Sequence, residues 1–267
     1  MSFLNDQILK ESKKLGPALR KYKRTTGRME SKNVSYNYLR FCSWLELLKI
    51  EGGLVSPTSY TIFFSTLKPE TRFDLSEEER LAFFIHLWPR VPELGLMLEE
   101  LSMSRATTPS AFRSTGITEH HAETFMEWFV DLDLVSPTKA QFGSFYLSPT
   151  GNAIRTHRGS HDEACRAFAS ATLKRGIDLD GNISSDDIWG EIVSITKDIL
   201  PHITNPVDSK LVAILPVLLR LQIHLLTLRG IFLPMDGIVS RARIAAEDHG
   251  ASFTWDPSYN TGFLKFG

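Results

Sequence analysis

Cysteine is nearly absent. Cys42 and Cys165 are the two cysteines in 267 residues. They are too few and too far apart in sequence for a disulfide framework or a zinc motif, so a reducing cytoplasm is the expected setting. Net charge is -1, which excludes a bulk polycation. Long apolar runs are scarce as well. The longest, Leu211 to Leu228, is interrupted by Pro216, Arg220, Gln222 and His224. It reads as a buried helix, not a membrane span. The N-terminus has no apolar core of the signal-peptide type. A Gly-rich phosphate loop, a Gly-x-Ser-x-Gly elbow and a His-Glu-x-x-His pair are all missing. At 42% hydrophobic content the chain can still bury a core and hold two or three small domains.

Charge is present but unevenly spread. Residues 1–50 hold eleven Lys and Arg against four Asp and Glu, a net +7, and the remainder totals -8. Lys21, Lys23, Arg24 and Arg28 sit in its densest part. Such an asymmetry suits a basic arm or face that meets phosphates, the source of most non-specific nucleic-acid affinity. A solvated helix and loop would carry the same charges, and Tyr22, Tyr36 and Tyr38 among them are ordinary core anchors.

The most informative stretch runs from Thr107 to Ile154. Thr108-Pro109-Ser110 opens a short helix, with Pro at its first position. Gly116 permits a tight turn and Thr118 caps a second helix. In that helix Ala122, Phe125, Met126, Phe129 and Leu132 fall on one face. Leu134-Val135 leaves it as a strand, residues 139–143 turn, and Ser144 to Ser148 returns. This order, with the ending Tyr146-Leu147-Ser148-Pro149-Thr150-Gly151, resembles the winged helix-turn-helix family over about 48 residues. The resemblance implies a mainly α fold with short β-hairpins. It fixes a fold better than a function, because winged helices also serve as protein-docking modules.

Two further copies of the pattern are expected, making tandem winged-helix modules. Trp44, Leu48 and Ile50 share the offsets of Trp128, Leu132 and Leu134, and Ser59 to Phe63 would be the returning strand of a degenerate copy. A third follows a helix from Met235 to His249, ended by Gly250, with strands at Ser252–Trp255 and Gly262–Phe266. Other helices are expected from Ser76, which caps a run of glutamates, at 94–101, 154–174, 186–200 with Pro201 as its stop, and 209–229. The domain reading is a basic arm at 1–33, a degenerate winged helix at 34–74, a central winged helix with flanking helices at 75–174, and a C-terminal helical domain with a hairpin at 175–267.

Little in the sequence points to catalysis or metal binding. His120 and His121 are adjacent, so their rings diverge on a helix. His157 and His161 are four apart, which reads as a solvated helix end more readily than half a metal site. Asp178, Asp180 and Asn182 open like a calcium loop, but Trp189 stands where the bidentate Glu belongs. No enzyme activity, cofactor or metal is expected.

For DNA, the resemblance implies that the helix after Thr118 meets the major groove by its first turns. Thr118, His120 and His121 would face bases and phosphates, flanked by Arg113 and by Lys139 in the wing. Glu119, Glu123, Glu127, Asp131 and Asp133 make this an acidic helix, a departure from the usual DNA-binding pattern. Arg241 and Arg243 in the third copy are the better-placed cations. The leading reading is a cytoplasmic, non-enzymatic protein that binds double-stranded DNA. It would work beside a partner protein, as a subunit of a prokaryotic genome-defence (antiviral) or DNA-processing complex. Such arrays resemble the recognition halves of some type IIS restriction enzymes. The alternative is a protein-interaction subunit resembling the tandem winged-helix partners of chromosome-organising ATPase complexes.

Overall fold

The computed structural model describes residues 13–14, 39, 42–51, 54–67, 75–103, 107–117, 119–138, 143–157, 159–203 and 211–267. In chain order the elements are β1 (Lys13–Lys14), β2 (Leu48–Glu51), β3 (Leu54–Pro57), α1 (Ser59–Thr66), α2 (Glu77–Leu87) and α3 (Glu93–Met103). A 3-10 helix (Pro109–Thr115) leads to α4 (Glu119–Asp131), β4 (Val135–Pro137), β5 (Phe145–Leu147), α5 (Pro149–Arg155), α6 (His161–Leu173) and β6 (Asp178–Leu179). Then come α7 (Ser185–Ile203), β7 (Leu211–Ala213), α8 (Leu215–His224), a π turn (Leu225–Arg229), β8 (Ile231–Phe232), α9 (Met235–Asp248), β9 (Ser252–Asp256) and β10 (Thr261–Lys265). Helices dominate and the strands pair in small sheets, so the class is mainly α with short β-hairpins.

The chain folds as two compact units. One comprises Met1–Leu67, Ile183–Leu221 and Met235–Gly267; the other comprises Lys68–Asn182 and Gln222–Pro234.

In the first unit, α7 shows why its residues are helical. Ile188, Ile192, Ile195 and Ile199 recur at helical spacing and all are buried. Burying each contributes roughly 2–3 kcal/mol. Ser184 caps the helix by accepting from the Asp187 N–H at 3.1 Å. α9 presents Ile238, Val239, Ala242, Ala245 and Ala246 inward, and the three alanines let α7 pack close. The sheets are β1-β3-β2 and β7-β10-β9.

In the second unit, Phe84 of α2 is fully buried between Trp88, with ring centroids 5.1 Å apart, and Phe168 of α6 at 4.1 Å. Ser76 starts α2 with a reciprocal cap: its hydroxyl accepts from the Glu79 N–H, and Glu79 accepts from the Ser76 N–H at 2.9 Å. Arg175 closes the far end by donating to the carbonyls of Leu226 and Thr227 at the π turn. β6 and β8 pair in parallel beside it.

Among the described residues one turn occurs three times. Before β2, the Glu46 N–H donates to Ser43 O at 3.0 Å and the Leu47 N–H to Cys42 O at 2.8 Å. Before β4, Asp133 donates to Val130 O and Leu134 to Phe129 O. Before β9, Gly250 donates to Glu247 O and Ala251 to Ala246 O. The pivot has φ of 59° at Glu46, 57° at Asp133 and 69° at Gly250. This is the left-handed helix ending with its crossed pair of bonds. In each case the hairpin that follows takes its third strand from an earlier segment, and that segment always adds to the second hairpin strand: β1 to β3, Thr107 to Phe145 of β5, and β7 to β10. In the first two copies a hydroxyl then ties the hairpin back to the pivot. Thr58 donates to Glu46 O and Ser148 to Asp133 O, both at 2.6 Å, and each hydroxyl caps the next helix. After Ser148, Gly151 is obligatory, since a Cβ there would lie 2.1 Å from Leu134 O.

The pivot sets a different phase from that expected from the tryptophans. Glu46 matches Asp133 and Leu47 matches Leu134, three residues away from the pairing of Trp44 with Trp128. Ser59 to Phe63 is not a strand but the body of α1, because Thr58 closes a capping box with Thr61 and the hairpin is already complete at Pro57. Of the helix expected over 209–229, residues 211–213 form β7 and the helix starts only at Leu215. Residues 154–174 form two helices, broken between Arg155 and His161 and restarted by the Ser160 cap. Pro201 lies inside the last turn of α7 and does not stop it.

Candidate nucleic-acid interface

Of the residues expected to meet DNA, Lys21, Lys23, Arg24, Arg28, Thr118 and Lys139 lie outside the described residues. Arg113 falls in the 3-10 helix and His120 in the first turn of α4. His121 is exposed on α4, with its ring 6.3 Å from that of Phe125.

The helix α4 buries Ala122, Phe125, Met126, Phe129 and so turns Glu123, Glu127 and Asp131 to solvent. These three lie at successive i,i+4 positions, a spacing at which like charges repel by a few tenths of a kcal/mol per pair. The helix contains no Lys or Arg to offset them.

Arg241 and Arg243 both lie on α9, yet they do not form one patch. Two residues apart on a helix, they leave the axis on different sides. Arg241 is half-buried, and Arg243 is exposed with its guanidinium over the Phe253 ring of β9, 5.8 Å from the centroid. That geometry supports a cation–π contact that steadies the side chain. The outward line of α9 between them is mixed, with Asp236, Ser240, Ile244 and Glu247 exposed.

The third hairpin carries a feature that patterning by charge missed. Its tip, 257–260, exposes Tyr259 at 79%. Asp256 accepts from the Ser258 N–H at 2.9 Å, and Asn260, at φ 48°, donates its side-chain amide to the Tyr60 hydroxyl at 2.7 Å. The tip is thereby fastened to α1, within the same unit, while Tyr259 stands out. The turn signal Asp-Pro-Ser-Tyr-Asn marks the bend in the sequence, but nothing local announces the bond to Tyr60, two hundred residues earlier.

Titratable groups elsewhere pair structurally. His161 and His157 do not share a helix, since α6 begins at His161. His161 instead faces Cys165, with the sulfur 3.7 Å from both ring nitrogens. A sulfur equidistant from the two nitrogens is aimed at neither. Burial, with Asp162 adding to it, pushes the Cys165 thiol well up. Burial likewise holds His161 below its ordinary value. Both shifts keep the pair neutral. Asp178 and Leu179 are taken up in β6, where the Asp178 N–H donates to Gly230 O. Among the described residues no group of three or more His, Cys, Asp or Glu is placed to hold a metal ion. Among them, too, no helix is long and apolar enough to cross a membrane.

No protein-family model, curated protein or solved structure matches the chain.

Proposed function

We propose that the chain is a tandem winged-helix protein that binds double-stranded DNA without catalysing a reaction, as a subunit of a genome-defence or DNA-processing complex. The observation that carries this reading is the recurrence of one arrangement: helix, left-handed pivot, hairpin, and an earlier segment added to the second hairpin strand. This recurrence supports the winged-helix reading, and a winged helix commonly meets a duplex. The +7 of residues 1–50 supplies charge for the phosphates.

The acidic outer face of α4 favours a second reading, in which the modules clasp another protein chain. Salt dependence separates the two. Fluorescence anisotropy with a random-sequence duplex is expected to show binding at 50 mM salt. It should weaken by roughly a thousandfold by 200 mM if about six phosphates are neutralised. Absence of binding at 50 mM would sink the DNA reading and leave the protein-docking one, to be pursued by affinity capture from the native host.

A further inference from the structure

In each copy the earlier segment adds to the second hairpin strand, so the first hairpin strand is left as an outer edge: β2, β4 and β9. Such an edge offers unpaired N–H and C=O groups to another chain, and folds blunt it with charge, proline or short length. Two of the three are blunted. β2 carries Lys49 and Glu51, exposed and ion-paired at 2.9 Å. β4 is three residues long and ends in Pro137. β9 has neither device. It runs for five residues, Ser252-Phe253-Thr254-Trp255-Asp256, without lysine or proline, and no bulge interrupts its register with β10. The ladder fixes which groups it offers. The Ile214 N–H donates to Gly262 O at 3.0 Å, so Gly262 faces β7 and its neighbours Thr261 and Phe263 face β9. Phe263 stands opposite Thr254. Thr254 therefore bonds inward, and Phe253 and Trp255 turn their N–H and C=O groups outward. Among the described residues no strand pairs with that side of β9.

We propose that β9 pairs with β9 of a second copy of this chain, antiparallel about a twofold axis at Thr254. That register is self-complementary. Phe253 lies opposite Trp255 of the second copy, and Trp255 opposite its Phe253. The two N–H and two C=O groups of each edge all find partners, in an isologous contact. The half-buried face of β9, which carries Phe253 and Trp255, gains two aromatic pairs across the junction, a favoured cross-strand combination. On the exposed face Thr254 meets Thr254 and Ser252 meets Asp256, so no like charges stand opposite each other. Five residues of edge span roughly 17 Å. That is small beside a standard interface of about 1,600 Å², so the association is weak, with a Kd on the order of tens of micromolar.

Sedimentation velocity of the full chain, from about 2 to about 300 µM, brackets that affinity, with a melting curve recorded for each variant. Wild type is expected to pass from monomer to dimer across the range. Thr254 is exposed, and at the axis it would set any charge against its own copy. Thr254→Lys and Thr254→Glu are each expected to stay monomeric throughout with melting unchanged. An equal mixture of the two is expected to dimerise again, a rescue that misfolding cannot produce. Thr254→Cys gives an independent reading. Opposed Cα atoms of a non-hydrogen-bonded pair lie about 4.5 Å apart, within disulfide reach, so mild oxidation should give a 254–254 link on peptide mapping. Wild type that is still monomeric at the highest concentration would overturn the proposal and leave the edge to a strand of a different protein. A dimer that both charged variants preserve, or failure of the Cys variant to link, would also overturn it. No duplex enters any arm, so the outcome is independent of the DNA reading.

Discussion

Single residues decide where the charge states of the second unit are fixed. His161 and Cys165, one turn apart on α6, are both held neutral by the fold. For His161 burial is the first cause, with Asp162 acting against it and Arg90 with it. A lowered folded value means that below the ordinary 6.5 the unfolded chain takes up a proton that the folded one refuses. Stability is therefore lost as pH falls through that range. For Cys165 the folded value is raised, so above 9.0 the unfolded chain releases a proton that the folded one keeps, and stability is lost as pH rises. The pair is neutral at no cost between those limits. Urea midpoints measured from pH 5 to pH 10 should fall at both ends. His161→Gln is expected to flatten the acid limb and Cys165→Ala the alkaline one. Unchanged limbs in both variants would show that other groups govern the profile.

At the scale of elements, the helix endings carry the argument. A non-glycine residue held left-handed costs roughly 1 kcal/mol, and Glu46 and Asp133 bear that cost where Gly250 does not. Glu46→Gly is expected to be neutral or to stabilise by up to about 1 kcal/mol, and Gly250→Ala to destabilise by about the same. Thr58→Ala and Ser148→Ala should each cost about 1–2 kcal/mol, since each loses a helix cap together with the tie to the pivot carbonyl. Denaturant unfolding of the four variants reads all of this, and a loss on Glu46→Gly would contradict the account.

These endings also mark the border of what could be read from the sequence. The central copy was legible because Pro109, Gly116 and the apolar face of α4 are local signals. The third hairpin was legible from Gly250 and the Asp-Pro turn. The tryptophan spacing puts the first copy three residues out of phase, because a glutamate at the pivot gives no sign of a left-handed turn. The strand β7 was hidden in an apolar run that reads as helix, because its pairing with β10 lies fifty residues downstream, beyond any local window. The candidate interface was legible only as charge. That Arg241 and Arg243 diverge, and that Asn260 reaches Tyr60, depend on tertiary geometry.

The whole molecule is interleaved. The first unit is drawn from three stretches of chain and the second from two. Residues 222–234 supply the second unit with β8, with the carbonyls that Arg175 holds, and with Leu225, Leu226, Phe232 and Leu233, all buried. At roughly 2 kcal/mol for each such side chain, their removal costs about as much as a domain's entire stability. A fragment ending at residue 182 is thus expected to lack a cooperative thermal transition. A sharp calorimetric peak from that fragment would show the segment to be dispensable.

The same interleaving sets a schedule for synthesis. When Asn182 leaves the ribosome, the second unit still lacks the piece that closes it, and some fifty more residues must be translated first. At ~5–20 residues per second the nascent chain waits roughly 3–10 s. Through that interval the core that will bury Leu225, Leu226, Phe232 and Leu233 is incomplete, which makes this unit the natural client of a chaperone at the exit tunnel.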